Sequence, residues 1–170
     1  MNNTGIAVSF NRWNKQKKML HIRNRMPDIR TGEIWWCGTG QNVGVEINGK
    51  GNSFARPVVI YKMLGKNSFM GIPLTSKEKT GDWYVKFRHH NKNQYAALCQ
   101  ARVVSKARLY ERMGELEMDD FEKIIKGFQH LYFDPKNIPN SKLGWCGKFP
   151  KNIYNLIVSK IAHLVKKRLS

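Results

Sequence analysis

An arginine and a threonine at the ends of two apolar runs are the side chains best suited to chemistry in this sequence. Arg56 directly precedes the run Pro57 to Tyr61, and Thr75 directly follows the run Phe69 to Leu74. A guanidinium can fork onto two phosphate oxygens, and a hydroxyl can donate to another. Because the chain has a formal net charge of +18, this pair predicts a site for an anionic polymer and makes phosphodiester chemistry a specific hypothesis.

Each candidate also has an ordinary structural explanation. Arg56 alone is better explained by a surface salt bridge, and Thr75 by the end of a strand or a turn. Glu46 lies ten residues before Arg56 in a glycine-rich segment, where it could act as the base for a 2′-hydroxyl or fix the guanidinium. A structural salt bridge explains Glu46 at least as well. The lysines in the nearest loops, each indistinguishable alone from a solvated lysine, are Lys50, Lys77 and Lys79.

Two adjacent pairs, one of histidines and one of tryptophans, are further candidates. His89 and His90 could supply a general base, but neighbouring residues on a strand face opposite ways, so we favour a solvated turn for them. Trp35 and Trp36 could stack on bases. We expect at least one of these tryptophans to be buried instead, in the small barrel predicted below or at a subunit contact.

Length, charge and cysteines limit the class of protein. The 170 residues suit one domain with additions, and 30 Lys plus Arg against 12 Asp plus Glu favour nucleic-acid binding over a basic surface that serves only solubility. Cys37, Cys99 and Cys146 form no CxxC motif, so neither a metal site nor another cofactor is predicted. The sequence has no secretory segment and no apolar run long enough for a bilayer, so we expect a cytoplasmic, soluble protein without a membrane partner.

Five strands are predicted to position the candidate residues. Alternating or β-branched runs separated by short polar turns place them at residues 33–37, 56–63, 68–75, 83–87 and 94–104. Strands at such close spacing indicate a small antiparallel barrel.

Helices are predicted on both sides of these strands. Residues 1–9 are expected to be a disordered leader, and a short helix is predicted from Asn11. Asp119, with Glu122 three residues on, predicts a capped helix. A second apolar stripe, from Ile153 to Val165, predicts an amphipathic helix that packs on the barrel or a partner subunit rather than on a membrane surface.

Five short motifs follow one another in the sequence: GEIWW, GVE, ARPVVI, GIPLTS and ALCQARVVSKARLYERMGEL. Together they resemble the MazF/PemK toxins of bacterial toxin–antitoxin pairs, from Glu33 to about Phe128. The resemblance implies a mainly β, α+β fold, with a small SH3-like antiparallel barrel of the CcdB/PemK type and flanking N- and C-terminal helices. The corresponding division is an N-terminal extension with a short helix (1–30), the barrel with a helix (31–131) and a C-terminal extension with an amphipathic helix (132–170).

The same resemblance implies a function. It implies a homodimeric endoribonuclease that cuts single-stranded RNA at a short sequence without metal, and a cognate antitoxin that fills the RNA groove. Arg56 resembles the family's catalytic arginine, Thr75 its threonine, and Glu46 the acidic residue of its loop. In that chemistry the 2′-hydroxyl attacks the adjacent phosphorus, leaving a 2′,3′-cyclic phosphate and a 5′-hydroxyl, while Arg56 and Thr75 stabilise the developing charge. The predicted RNA-binding residues are Lys50, Ser76, Lys77, Lys79, Gln100 and Arg102.

Two other functions stay open from the residues. A toxin of the same barrel class could bind a protein target such as gyrase, and a non-catalytic basic module could grip RNA or DNA. The pairing of Arg56 with Thr75 favours the ribonuclease, because binding alone does not need a matched pair.

Overall fold

The computed structural model describes residues 3–134, which form two helices and seven strands. The helices are α1 (Asn3–His21) and α2 (Met118–Phe133). The strands are β1 (Glu33–Gly38), β2 (Ala55–Met63), β3 (Ser68–Thr75), β4 (Tyr84–His89), β5 (Lys92–Ala97), β6 (Arg102–Ser105) and β7 (Leu109–Glu115). Cys146 and the helix predicted after Ile153 lie outside the described residues.

The strands form one antiparallel sheet in the spatial order β4-β5-β3-β2-β1-β7, with β6 also paired to β3. β3 is shared along its length, because its first half pairs with β6 while Leu74 and Thr75 pair with β5. Within residues 3–134 no ladder joins β4 to β7, although the Nε2 atom of His90 lies 3.3 Å from the carbonyl oxygen of Met113. The predicted α+β fold is therefore confirmed, with its sheet open at this seam.

Apolar side chains form a core on each face of the sheet, because successive strand residues point to opposite faces. The first core packs against Ile124 of α2 and includes Ile34, Val59, Ile72, Leu74 and Phe87. The second core includes Trp35, Cys37, Val58, Ile60, Phe69 and Leu109. α1 packs through a separate cluster of Trp13, Leu20 and Phe54.

The strand region differs from the prediction at two places. The predicted strand 94–104 is broken by a 3-10 turn at Leu98–Gln100, where the Leu98 side chain is buried and its N–H donates to the carbonyl of Trp83. This break lets β5 and β6 pair with different parts of β3. The pattern also does not predict β7, whose residues LYERMGE lack a clear apolar alternation.

The helix predictions also need correction. The predicted disordered leader is helical over its described residues, 3–9, because α1 begins at Asn3. Asp119 lies in the first turn of α2, and the N-cap position is taken by Glu117, whose side chain makes no capping hydrogen bond. The acidic first turn still suits the positive end of the helix dipole. Within residues 3–134, neither helix combines the length and the apolar character needed to span a membrane.

Candidate active site

The register of β2 against β3 brings Arg56 and Thr75 together. Val58 lies opposite Pro73 and Val59 opposite Ile72, so continuing this antiparallel register sets Arg56 opposite Thr75. Directly opposed residues place their side chains on the same face. The Nη1 atom of Arg56 also donates to the carbonyl oxygen of Leu74, the residue before Thr75, at 3.3 Å. The two residues singled out in the sequence thus lie at adjacent ends of β2 and β3.

Arg56 is held by backbone carbonyls rather than by a carboxylate. Its Nε atom donates to the carbonyl oxygen of Asn48 at 2.8 Å, and its Nη1 atom donates to the carbonyl oxygen of Leu74. Among residues 3–134 it makes no ion pair, so the salt-bridge explanation does not apply to this arginine. Burial lowers the pKa of Arg56 from its ordinary value, yet a guanidinium stays protonated in proteins. The remaining N–H groups of this half-buried cation are available to an anion.

Thr75 is oriented by the turn that follows it. Its Oγ1 atom accepts a hydrogen bond from the backbone N–H of Lys77 at 3.2 Å, the local turn that threonine hydroxyls commonly form. Since the oxygen accepts here, the hydroxyl hydrogen remains to be donated to a ligand. Thr75 is only 8% exposed, so this donor sits in a largely desolvated place. Arg56 and Thr75 together offer hydrogen-bond donors and positive charge to one anionic group.

Gln100 fixes the backbone on both sides of Glu46. Its Oε1 atom accepts from the N–H of Ile47 at 3.1 Å, and its Nε2 atom donates to the carbonyl of Val45 at 3.5 Å. Glu46 itself is exposed and makes no ion pair with Arg56 or any other described residue. Within residues 3–134, the salt bridge that was one of the explanations for Glu46 is therefore absent, and its exposed carboxylate acts on Arg102 only through electrostatic attraction.

Asparagines organise the rest of this glycine-rich loop. The N–H of Asn42 donates to Oδ1 of Asn48 at 2.6 Å, and Nδ2 of Asn42 donates to the carbonyl of Ile47, also at 2.6 Å. The backbone of Asn48 then accepts from Arg56. The sequence reasoning missed both asparagines, and the only local signal for them was the polar, glycine-rich composition of the loop.

The chain matches the family model described as PemK-like, MazF-like toxin of type II toxin–antitoxin system over residues 30–132, more than half of its length. The chain belongs to this toxin family. No curated protein matches it. Among solved structures, it is similar to crystal form I of MazF from Deinococcus radiodurans, with 18% identity, a TM-score of 0.52, and coverage of 64% of this chain and 97% of that one.

A second similar structure is an endoribonuclease in complex with its cognate antitoxin from a mycobacterial species. It has 16% identity and a TM-score of 0.48, and the match covers 60% of this chain and 92% of that one. At these identities the likeness to the Deinococcus protein shows the fold of the toxin. The family itself rests on the match over residues 30–132.

The predicted RNA-binding residues of the toxin divide into two groups. Ser76, Lys77 and Lys79 are exposed in the turn directly after Thr75, and Lys50 is exposed in the loop. Gln100 and Arg102 are half-buried and bond the loop internally: Arg102 Nη2 donates to the carbonyl of Thr39 at 2.7 Å, as Gln100 does to Val45. The first group lies near the Arg56–Thr75 pair, and RNA contact by either group stays a prediction.

The histidines and tryptophans lie apart from this pair. His89 and His90 pack ring against ring beside β7, with ring centroids 4.1 Å apart. His90 is exposed as expected, but the Nε2 atom of His89 is buried without a hydrogen-bond partner in the described structure. Burial and the neighbouring His90 lower the pKa of His89. Trp35 is buried, as expected of at least one tryptophan, and Trp36 is 36% exposed.

The cysteines of the described part of the toxin are free thiols. Cys37 is buried, and burial raises the pKa of its thiol to about 12, so it is inert. Cys99 is half-buried. Among residues 3–134, no three His, Cys, Asp or Glu side chains lie close enough together to hold a metal ion.

Proposed function

We propose that this toxin is an endoribonuclease that cuts single-stranded RNA at a short sequence, without a metal ion, through attack of a 2′-hydroxyl on the adjacent phosphorus. The observation that carries this proposal is that Arg56 and Thr75 lie at adjacent ends of β2 and β3, with Arg56 bonded to the carbonyl of Leu74. A buried hydroxyl donor beside a guanidinium that lacks a carboxylate partner suits a phosphorus centre on which negative charge increases.

In the proposed reaction Arg56 and Thr75 bind the non-bridging oxygens of the scissile phosphate. The 2′-hydroxyl oxygen forms a bond to phosphorus, and the bond from phosphorus to the 5′-oxygen breaks. The products are a 2′,3′-cyclic phosphate and a 5′-hydroxyl, and the proton lost by the 2′-hydroxyl is balanced by the one taken up by the leaving oxygen. Arg56 is placed before the substrate arrives, because the carbonyls of Asn48 and Leu74 already fix its guanidinium.

Glu46 is the proposed base for the 2′-hydroxyl. Its carboxylate is exposed, and Gln100 fixes the backbone on both sides of it. The exposed turn with Ser76, Lys77 and Lys79 is proposed to contact RNA phosphates on the other side of the scissile linkage. As a member of a type II family, the toxin is also proposed to form a homodimer and to be neutralised by a cognate antitoxin encoded beside it.

The proposed activity is tested with a pool of RNA transcripts in excess EDTA, with the ends of the products mapped. We expect cleavage at a short recurring sequence, cyclic phosphate ends, and no cleavage of the same sequence in DNA, which lacks the nucleophile. Intact RNA over a broad pool would contradict the ribonuclease and favour a toxin that only binds.

The first variant to test is Arg56→Ala, with Arg88→Ala as its matched control. Arg88 is an exposed arginine on β4, so the control removes the same charge away from the site. Loss of a donor to the transition-state oxyanion reduces rates about 10²–10³-fold, and we expect at least this loss for Arg56→Ala and near-normal cleavage for Arg88→Ala. Circular dichroism checks that both variants are folded. Normal cleavage by a folded Arg56→Ala protein would disprove the assignment.

A further inference from the structure

A basic cleft lies between α1 and β6, and neither Arg56 nor Thr75 lines it. Its volume is about 480 Å³, within the range of roughly 300–1,000 Å³ found for small-ligand sites. One wall is formed by Phe10, Trp13 and Lys17 of α1, and the other by Arg102 at the start of β6 and Arg108 in the 3-10 turn that follows β6. Because α1 precedes the segment that matches the family, one wall of this cleft is additional to the family's common region.

α1 is attached to the sheet by contacts that are distant in sequence. The Nε2 atom of Gln16 donates to the hydroxyl of Tyr110 at 2.9 Å, and Ser9 donates to Oε1 of Gln41 at 3.1 Å. Trp13 is 5% exposed and lies beneath the guanidinium of Arg108, 5.4 Å from the ring centroid. The α1 wall of the cleft is therefore built into the fold.

The cleft has an excess of unpaired positive charge. Arg102 donates to the carbonyl of Thr39 at 2.7 Å and Arg108 to that of Gly38 at 3.0 Å, so adjacent carbonyls hold the two guanidinium groups close together. Burial lowers the pKa of Arg102, and repulsion by Arg108 lowers it further. The negative charge of Glu46 acts in the opposite direction and raises this pKa. Neither arginine has an ion pair within residues 3–134, and none of the described residues that line the cleft is acidic.

A buried hydroxyl in the lining also lacks a partner. Thr39 is 2% exposed, and its Oγ1 atom makes no hydrogen bond in the described structure. Buried polar atoms are nearly always hydrogen-bonded in folded proteins. Thr39 lines the cleft and orients Arg102 through its carbonyl oxygen, while its hydroxyl lies beneath the surface of the cleft.

We propose that this cleft binds one nucleotide of the RNA substrate, outside the scissile linkage, and so extends the RNA site onto α1. This inference depends on the proposed ribonuclease function. Lys17, Arg102 and Arg108 bind the phosphate, and the base lies along the half-buried ring of Phe10 and the exposed side chain of Val103. The aromatic ring favours a nucleotide over an acidic peptide, because every base has a face that can stack.

The glycine-rich loop connects the cleft to the candidate active site. Asn42 lines the cleft, and its N–H donates to the side chain of Asn48, whose backbone carbonyl in turn accepts from Arg56. One loop therefore forms a wall of both sites. An RNA strand that crosses this loop can occupy both, and nucleotides that flank the cut sequence on one side would reach the cleft.

The test compares RNA oligonucleotides of two lengths. Once the cut sequence is mapped, a short oligonucleotide carries only that sequence, and longer ones add flanking nucleotides on the 5′ or the 3′ side. A single 2′-deoxynucleotide at the cut position prevents cleavage during measurement of Kd by fluorescence anisotropy. We expect one of the two extensions to tighten binding to the wild-type protein by roughly tenfold or more, the size of a charge-assisted hydrogen bond.

The variant for this test is Lys17→Gln with Arg108→Gln, matched by Lys86→Gln with Arg88→Gln on β4, which are exposed. We expect the first pair to abolish the gain from the longer RNA and to reduce the salt slope of its binding by about 0.7 for each phosphate that is no longer neutralised. Cleavage of the short RNA should be unchanged, and the control pair should keep the gain. If the double variant is unstable, Lys17→Gln alone replaces it in the binding measurement, because Lys17 is exposed and its substitution does not disturb the core.

Each remaining outcome overturns the inference. If the wild-type protein cuts the short RNA but gains nothing from either extension, the cleft does not bind RNA while the proposed function stands. If a polyglutamate peptide binds to wild type but not to the double variant, and no extension tightens RNA binding, the cleft belongs to an acidic protein partner. If the protein cuts no RNA, the proposed function fails and the inference with it.

Discussion

Replacing the hydroxyl of Thr75 by a methyl group separates its contribution to the reaction from its contribution to the fold. Thr75→Val keeps the β-branched shape that suits a strand and removes the Oγ1 atom. That atom accepts from the N–H of Lys77 at 3.2 Å, and its hydrogen is the proposed donor to the scissile phosphate. Thr75→Ser is the matched control, because it keeps the hydroxyl and loses only the methyl group.

The two consequences of Thr75→Val differ in size. Loss of one neutral hydrogen bond costs about 0.5–1.5 kcal/mol of unfolding free energy, and the low end applies because Lys77 lies in an exposed turn where water can replace the bond. Loss of a donor to the transition-state oxyanion costs about 2.7–4 kcal/mol, or 10²–10³-fold in kcat. Activity should therefore fall far more than stability.

The measurements are urea unfolding and cleavage of a short RNA under single-turnover conditions. We expect Thr75→Val to lower the cleavage rate at least a hundredfold while shifting the unfolding free energy by only about 0.5 kcal/mol, and Thr75→Ser to stay within a few-fold of wild type. Equal losses of activity in the two variants would show that the methyl group or its packing matters. A near-normal rate for Thr75→Val would refute the role of the hydroxyl.

Two further predictions concern the loop and the seam of the sheet. Gln100→Ala leaves the N–H of Ile47 without its partner. Because an unmade hydrogen bond costs about 1–3 kcal/mol, we expect roughly tenfold slower cleavage of RNA with the fold retained. An unchanged cleavage rate would show that the backbone around Glu46 does not need this support. Burial and the neighbouring His90 lower the pKa of His89 from 6.5. Just below pH 6.5 the unfolded chain therefore binds a proton at this residue and the folded protein does not. The free energy of unfolding accordingly falls as the pH drops below about 6.5, and it levels off below the pKa of the folded protein. The free energy of unfolding is measured with urea at pH values of about 7.5, 6.5 and 5.5, on both sides of the ordinary histidine pKa. We expect a smaller decline for His89→Asn than for the wild-type protein. An identical decline in both proteins would exclude His89 as its source.

The strands that hold the Arg56–Thr75 pair were the part of the fold best predicted from sequence. β3 has the predicted bounds, and β2 begins one residue earlier than predicted. Both are runs rich in apolar residues that join through a polar turn, so local pattern decides them. Their short connection also fixes an antiparallel register, which brings the two strand ends together.

The loop and the N-terminal helix could not be predicted in the same way. The bond between Gln100 and Ile47 spans 53 positions, and that between Gln16 and Tyr110 spans 94. No local pattern encodes such contacts, and the few apolar residues of α1 give only a weak periodic signal. The basic N-terminal segment lies far in sequence from the candidate residues, so nothing local predicts that it takes part in a site. In the structure, however, Lys17 and Arg102 line the same cleft.

The position of Arg56 favours an arginine over a lysine. Arg56 lies on the same face of β2 as Val58 and Ile60 of the second core, at the point where that core ends. A cation here loses part of its hydration, and no carboxylate among the described residues compensates it. The guanidinium of Arg56 is instead oriented by two carbonyl groups and keeps its other N–H groups for a ligand. The ammonium group of a lysine has three donors at the end of a flexible chain, and it does not reproduce this geometry. Partial desolvation without a built-in counter-ion strengthens the attraction for a phosphate that gains charge during the reaction.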